Sequence, residues 1–202
     1  MGVGAIPVVL TILLVFFAWR LVFSFNKDLV RVKAWGDLAR RSLPFVAITA
    51  MAASLPLVQG WQGGWMPILW VLAFATVLVV SNFLSVPLGE RRASRAFRNG
   101  DYAEAAALYR RLVEERPLAR YWAFLGAALG ADERREEAVD ASTKAIELDP
   151  KYGLAYYNRA SALAALGEHS RARDDLQTVF RVDSNRRLRR AAEEALESLE
   201  KD

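Results

Sequence analysis

The chain has 202 residues, 53% of them hydrophobic, with no cysteine, a single histidine and a formal net charge of +4. Without thiols, a disulfide framework, a thiolate nucleophile and a thiolate metal site are excluded, and one imidazole cannot build a histidine metal cluster. The charge is lopsided: from residue 90 onward 21 Lys/Arg balance 21 Asp/Glu, so the excess lies in Arg20, Lys27, Arg31, Lys33, Arg40 and Arg41 against Asp28 and Asp37. Such an excess speaks for membrane topology and gives no argument for nucleic-acid binding.

Residues 6–25, IPVVLTILLVFFAWRLVFSF, form an almost unbroken apolar run of the length that crosses a bilayer core. Arg20 is its one charge, near enough to the end to reach the headgroups. A cleaved signal peptide fits less well, because residues 1–5 carry no basic side chain and Phe23, Phe25 and Asn26 are poor neighbours for cleavage. Residues 26–42 are a basic loop in which Leu29, Val32, Trp35 and Ala39 fall at helical spacing. Both an interfacial amphipathic helix on an anionic leaflet and a plain cytoplasmic loop fit that pattern. Residues 43–58 are apolar and rich in small residues, with Pro44 suited to a helix start; they read as a second span that residues 38–42 could lengthen, or as a re-entrant segment. An uncharged turn follows, and then a third span over 65–86, with Trp61, Trp65 and Trp70 near its outer end as interface anchors. Five Lys/Arg lie within the first connection, and Arg91, Arg92, Arg95 and Arg98 follow the third span, whereas the second connection has none. The positive-inside rule then places the C-terminal part in the cytoplasm and the N-terminus outside, in the cell (inner) membrane.

Near Gly89 the composition changes from apolar to densely charged, which divides the chain into a membrane part, 1–88, and a second part. In the second part the apolar spacing predicts helices paired across short turns: 91–115 around Gly100-Asp101, then 118–132 with 135–148, then 154–166 with 170–182. A last helix over 185–201 carries one apolar stripe of Leu188, Ala192, Ala195, Leu196 and Leu199, with charges on its other faces.

The pairs repeat one another. Trp122, Gly126, Leu129 and Ala138 recur as Tyr156, Ala160, Leu163 and Ala172, each 34 residues on, and Ala105 and Pro117 recur 33 residues on as Ala138 and Pro150. Small residues stand where two helix backbones approach, Gly126 against Ala138 and Ala160 against Ala172; Pro117 and Pro150 end each second helix. With this period and these residues, the stretch from about Val86 to Ser184 resembles the tetratricopeptide repeat (TPR) family. The resemblance implies an α-solenoid of about three repeats over 89–184, closed by 185–202 as a capping helix with a polar outer face.

In that family the first helix of each pair lines a concave groove for a peptide or extended segment of a protein partner. Carried onto this chain, the groove would hold Phe97 and Arg98 from the first repeat, Arg120, Ala123, Ala127 and Ala131 from the second, and Leu154, Tyr157, Asn158, Ser161 and Ala164 from the third. One class of TPR proteins grips the C-terminal carboxylate of heat-shock chaperones with Lys, Arg and Asn. The corresponding positions here are Glu90, Ser94, Phe124, Leu154 and Asn158, of which Glu90 has the wrong sign, so no chaperone carboxylate clamp is expected.

Catalysis has little to work with. His169 falls in an inter-helix turn, and Glu136-Glu137 and Asp174-Asp175 read as solvated helix faces. No HExxH, GxSxG or phosphate-binding glycine loop is present, and no cofactor or metal site is expected. The sequence therefore predicts an all-α protein, three transmembrane helices followed by a short TPR solenoid with a capping helix. Its expected role is non-enzymatic, as a membrane-anchored scaffold, adaptor or assembly factor; the alternative is an accessory subunit packed through its transmembrane helices into a larger membrane complex.

Overall fold

A computed structural model describes residues 16, 17, 19, 20, 22–24, 26, 29, 30, 35–58 and 64–200. All regular structure among these residues is helical. The chain divides into two compact units, Met1–Pro87 and Leu88–Asp202.

The first unit pairs α1 (Trp35–Val58) with α2 (Met66–Ser85). Trp70 Nε1 donates to Ser54 Oγ at 3.1 Å between them. Among the described residues, one helix, α2, is long and apolar enough to cross a membrane, so the expectation of three spans is corrected to this one. It matches the third expected span. Most of the first, 6–25, lies outside the described residues, as do 59–63 of the expected turn. The second expected span is only the later part of α1. That helix begins at Trp35, inside the stretch read as a basic loop, and takes Asp37, Arg40 and Arg41 with it. The helical spacing of Trp35 and Ala39 simply runs on, and Pro44 sits inside the helix instead of starting it. The rest of the expected basic loop lies largely outside the described residues.

The second unit is built from three helix pairs and one further helix. The pairs are α3 (Leu88–Asn99) with α4 (Tyr102–Glu115), α5 (Ala119–Ala131) with α6 (Arg135–Leu148), and α7 (Gly153–Ala165) with α8 (His169–Val182); α9 (Arg186–Leu199) follows. Each pair turns in the same way. Asp101, Arg134 and Glu168 donate their backbone N–H to the carbonyls of Ala96, Leu129 and Leu163, at 3.0, 2.9 and 2.9 Å, which closes the last turn of the first helix. The turn needs a left-handed residue just before each donor. Gly100 (φ 89°) and Gly167 (φ 80°) supply it at no steric cost, whereas the second pair uses Glu133 at φ 61°.

Within a pair the backbones approach closely where the sequence is smallest. A methyl built on Gly126 would stand 3.2 Å from the Ala138 carbonyl oxygen and 3.3 Å from the Ser142 nitrogen. Ala160 and Ala172 meet in the third pair, both buried, in one core cluster with Leu163, Leu176, Val179 and Ala192 of α9. That shared cluster covers the apolar side of α7 and α8, which one pair cannot bury alone. Arg159 of α7 ties its own pair together and reaches the pair before it. Its Nε and Nη2 grip both oxygens of Asp175 in α8 at 2.7 Å each, and its Nη1 reaches Thr143 of α6 at 3.2 Å. Asn185 caps α9, its side chain accepting from the N–H of Arg187 at 3.0 Å.

Candidate functional site

The first helices of the three pairs, α3, α5 and α7, share a cavity of about 380 Å³ with one residue of α4. Its walls are largely apolar and aromatic: Phe97, Tyr109, Phe124, Ala127 and Leu154. Its polar groups are Glu90, Ser94, Arg98 and Asn158. The rings of Tyr109 and Phe124 pack 5.5 Å apart, and Phe97 meets Tyr102 edge-on at 5.4 Å.

The polar groups are tied to the scaffold. The Tyr121 hydroxyl, from a fully buried ring, donates to Glu90 Oε2 at 2.9 Å and so holds α3 against α5. Asn158 Nδ2 donates to the Ala123 carbonyl at 2.8 Å and holds α7 against α5. Arg98 Nη1 donates to Ser94 Oγ at 2.8 Å along α3. Burial, with the Glu90 carboxylate adding to it, pushes the Tyr109 phenol up to about 12; the same two causes raise Tyr121. Both phenols are thus held neutral beside a carboxylate.

Five of the residues expected to line a groove do so together: Phe97, Arg98, Ala127, Leu154 and Asn158. The others are placed differently. The Ala123 side chain is fully buried against Ala145 and Ala155, so its expected place in the groove is corrected to the core. Tyr157 and Ala164 pack on the cluster shared by α7, α8 and α9, which removes them from the cavity. Arg120 lies with its guanidinium 5.0 Å from the centre of the Tyr121 ring. Ser161 and Ala131 are exposed outside the cavity. Glu90, Ser94, Phe124, Leu154 and Asn158, the positions compared with the chaperone clamp, all line it. Tyr109 is the lining residue that the sequence did not suggest. It sits on a second helix, where its aromatic character reads as packing.

His169 is exposed at the first position of α8, and no group of three or more His, Cys, Asp or Glu gathers as a metal site among the described residues. What the cavity can do chemically is recognition: it offers an aromatic, apolar concavity with a carboxylate, Glu90, and a guanidinium, Arg98, both from the α3 wall.

A family model described as tetratricopeptide repeat matches residues 119–152, and a second of the same description matches 142–174. Residues 119–174 are tetratricopeptide repeats. The TPR-containing thioredoxin TTL4 of Arabidopsis thaliana is 42% identical over 81 residues, which is 40% of this chain and 12% of that protein. Serine/threonine-protein phosphatase 5 of Rattus norvegicus is 36% identical over 95 residues, 46% of this chain and 19% of that protein. The chain thus spans under a fifth of the length of these curated relatives. Among solved structures, the second TPR domain of human RPAP3, in complex with the HSP70 peptide SGPTIEEVD, superposes with a TM-score of 0.51 at 28% identity, covering 56% of this chain and 93% of that one. The TPR2B domain of yeast Sti1 superposes with a TM-score of 0.53 at 24% identity, covering 56% and 94%, and shows the same fold. The TPR array is a protein-interaction module.

Proposed function

We infer that the protein is a non-enzymatic adaptor or assembly factor that holds a protein partner at the cell (inner) membrane, with its TPR array on the cytoplasmic side. The cavity shared by α3, α5 and α7 carries this reading. It joins the first helices of three consecutive pairs and is walled by Phe97, Phe124 and Leu154, a surface suited to side chains of an extended segment. The three pairs serve as TPR repeats over 89–184 and α9 as their cap.

Two features of the first unit support the anchor. The apolar side chains of α2 face outward, Val79 at 69% and Phe83 at 61% exposure among them. The hydroxyls of Ser42, Thr49, Ser54, Thr76, Ser81 and Ser85 all donate back to carbonyls of their own helix, which satisfies them without water. An anchor formed by α2, with α1 packed on it, would want both.

The RPAP3 domain takes an HSP70 peptide that ends in acidic residues. This cavity is unsuited to such an end, because the Glu90 carboxylate would face it and Leu154 offers no donor. The peptide SGPTIEEVD is expected not to bind; saturable binding at micromolar concentration would overturn that part of the reading. A second reading, an accessory subunit packed through its helices, is favoured by the outward apolar face of α1, including Val46 and Ile48. Affinity isolation of the full chain from native membranes decides between them. The adaptor reading expects a stoichiometric partner that is lost on Leu154→Glu. A partner retained by that variant supports the accessory subunit, and recovery of the chain in the alkaline-carbonate-soluble fraction refutes the anchor.

A further inference from the structure

A second concavity, of about 640 Å³, lies on the other side of α5. At about 100° per residue, Trp122, Leu125 and Leu129 lie on the face of that helix opposite Phe124 and Ala127, and the first three floor this concavity, whereas the last two line the cavity already described. Its walls are α4 and α6, the second helices of two neighbouring pairs.

The rim is acidic in a specific way. Four carboxylates line the concavity, Glu114, Glu137, Asp140 and Glu147, against two cations, Arg110 and Lys144. Both cations are already engaged: Arg110 with Glu137 at 2.9 Å across α4 and α6, and Lys144 with Glu147 at 2.8 Å along α6. Arg134 adds a second contact to Glu137 at 2.7 Å. Glu114 on one wall and Asp140 on the other are exposed, and neither takes part in an ion pair or hydrogen bond. An apolar floor with a half-buried indole, flanked on both sides by uncommitted carboxylates, is complementary to an amphipathic segment whose apolar side chains are bracketed by lysine or arginine.

We propose that this concavity is a second docking site, distinct from the cavity along the first helices, for a basic amphipathic segment of a partner protein. The apolar side chains of that segment sit on the half-buried Trp122 indole, which Leu125 and Leu129 back from the core, and its cations meet Glu114 and Asp140. The site is independent of the first one, so the protein can hold two segments at once.

The test uses the full chain in detergent, labelled with fluorotryptophan and followed by fluorine NMR, with the Trp122 resonance assigned from its loss in Trp122→Phe. The probe is a synthetic helical peptide of leucine and lysine, compared with its leucine–glutamate counterpart. The Leu/Lys peptide is expected to shift the Trp122 resonance saturably and the Leu/Glu peptide to leave it unmoved. The double variant Glu114→Lys/Asp140→Lys, which disturbs no contact within the fold, should weaken binding about tenfold, and Leu154→Glu should leave it unchanged. Equal response to both peptides, an unmoved Trp122 resonance, or undiminished binding by the double variant overturns the proposal. A peptide-free Trp122 resonance that moves with protein concentration, and stops moving in the double variant, overturns it too: a second copy, with the exposed arginines of its α9, would then be the occupant.

Discussion

Alanine at Gly126 and alanine at Gly130 are the same chemical change in the same helix, yet they should move stability in opposite directions. A methyl at Gly130 meets only the Ala138 methyl, at 3.7 Å, an ordinary contact. There the helix propensity of alanine prevails and stabilises by about 0.5–1 kcal/mol. A methyl at Gly126 meets backbone: the Ala138 carbonyl oxygen at 3.2 Å and the Ser142 nitrogen at 3.3 Å, with Ser142 Oγ nearer still. Backbone atoms of α6 cannot rotate away, so α5 and α6 must separate. Overpacking of this kind costs about 1–3 kcal/mol, more than the propensity gain returns. The two variants should therefore differ by about 2 kcal/mol, which for a repeat unit of this size is on the order of 5–10 °C in melting temperature. Far-UV circular dichroism melts of the full chain and both variants in one detergent would show it. A Gly126→Ala protein as stable as Gly130→Ala would refute the argument that close backbone approach sets the repeat pattern.

Three further outcomes follow from the second unit. Glu133→Gly should stabilise by up to about 1 kcal/mol in urea unfolding, because it relieves a left-handed backbone where the neighbouring turns use glycine; a loss of stability would contradict this. Asp175→Asn should destabilise by about 2–3 kcal/mol, below the range for a wholly buried pair because Arg159 retains 21% exposure; an unchanged urea midpoint would show that the bidentate pair is dispensable. Tyr109, held at about 12 in the folded chain against about 10 when unfolded, keeps its proton where the unfolded chain has lost it. Stability should therefore fall as pH rises from about 10 to about 12, with no contribution to the pH dependence below that window, and Tyr109→Phe should lose less over the same interval; parallel losses in the two proteins would contradict the assignment.

The helical array was legible because its packing needs leave a mark at fixed spacing. Gly126 facing Ala138 and the left-handed turns at Gly100 and Gly167 are backbone requirements, and only a few residue types meet them. The groove was legible only in part, because helix phase is unforgiving. On α5 the open strip runs through Phe124 and Ala127; choosing Ala123 instead turns the side chain by about 100°, into the core. On α7 the strip is Leu154 and Asn158, and the same drift carries Tyr157 toward α8 and α9. Tyr121 showed nothing in the sequence of its reach to Glu90, a contact between residues 31 positions apart. In the first unit, Pro44 was a misleading boundary, since α1 passes through it from Trp35. Ser142 had no signal either: a fully buried hydroxyl without a hydrogen-bond partner runs against the rule that such groups are satisfied.

Whether the cavity along α3, α5 and α7 is the working surface is tested most directly by site-specific photo-crosslinking in intact native membranes. A photoreactive residue at Ala127, which lines the cavity, should capture one dominant protein, and Leu154→Glu in the same chain should abolish the capture. A photoreactive residue at Tyr157, packed against α8 and α9, should not yield that product. If Ala127 captures nothing while positions on the outward face of α1, such as Ile48, do, the helical array is a brace for a membrane complex and the adaptor reading is wrong.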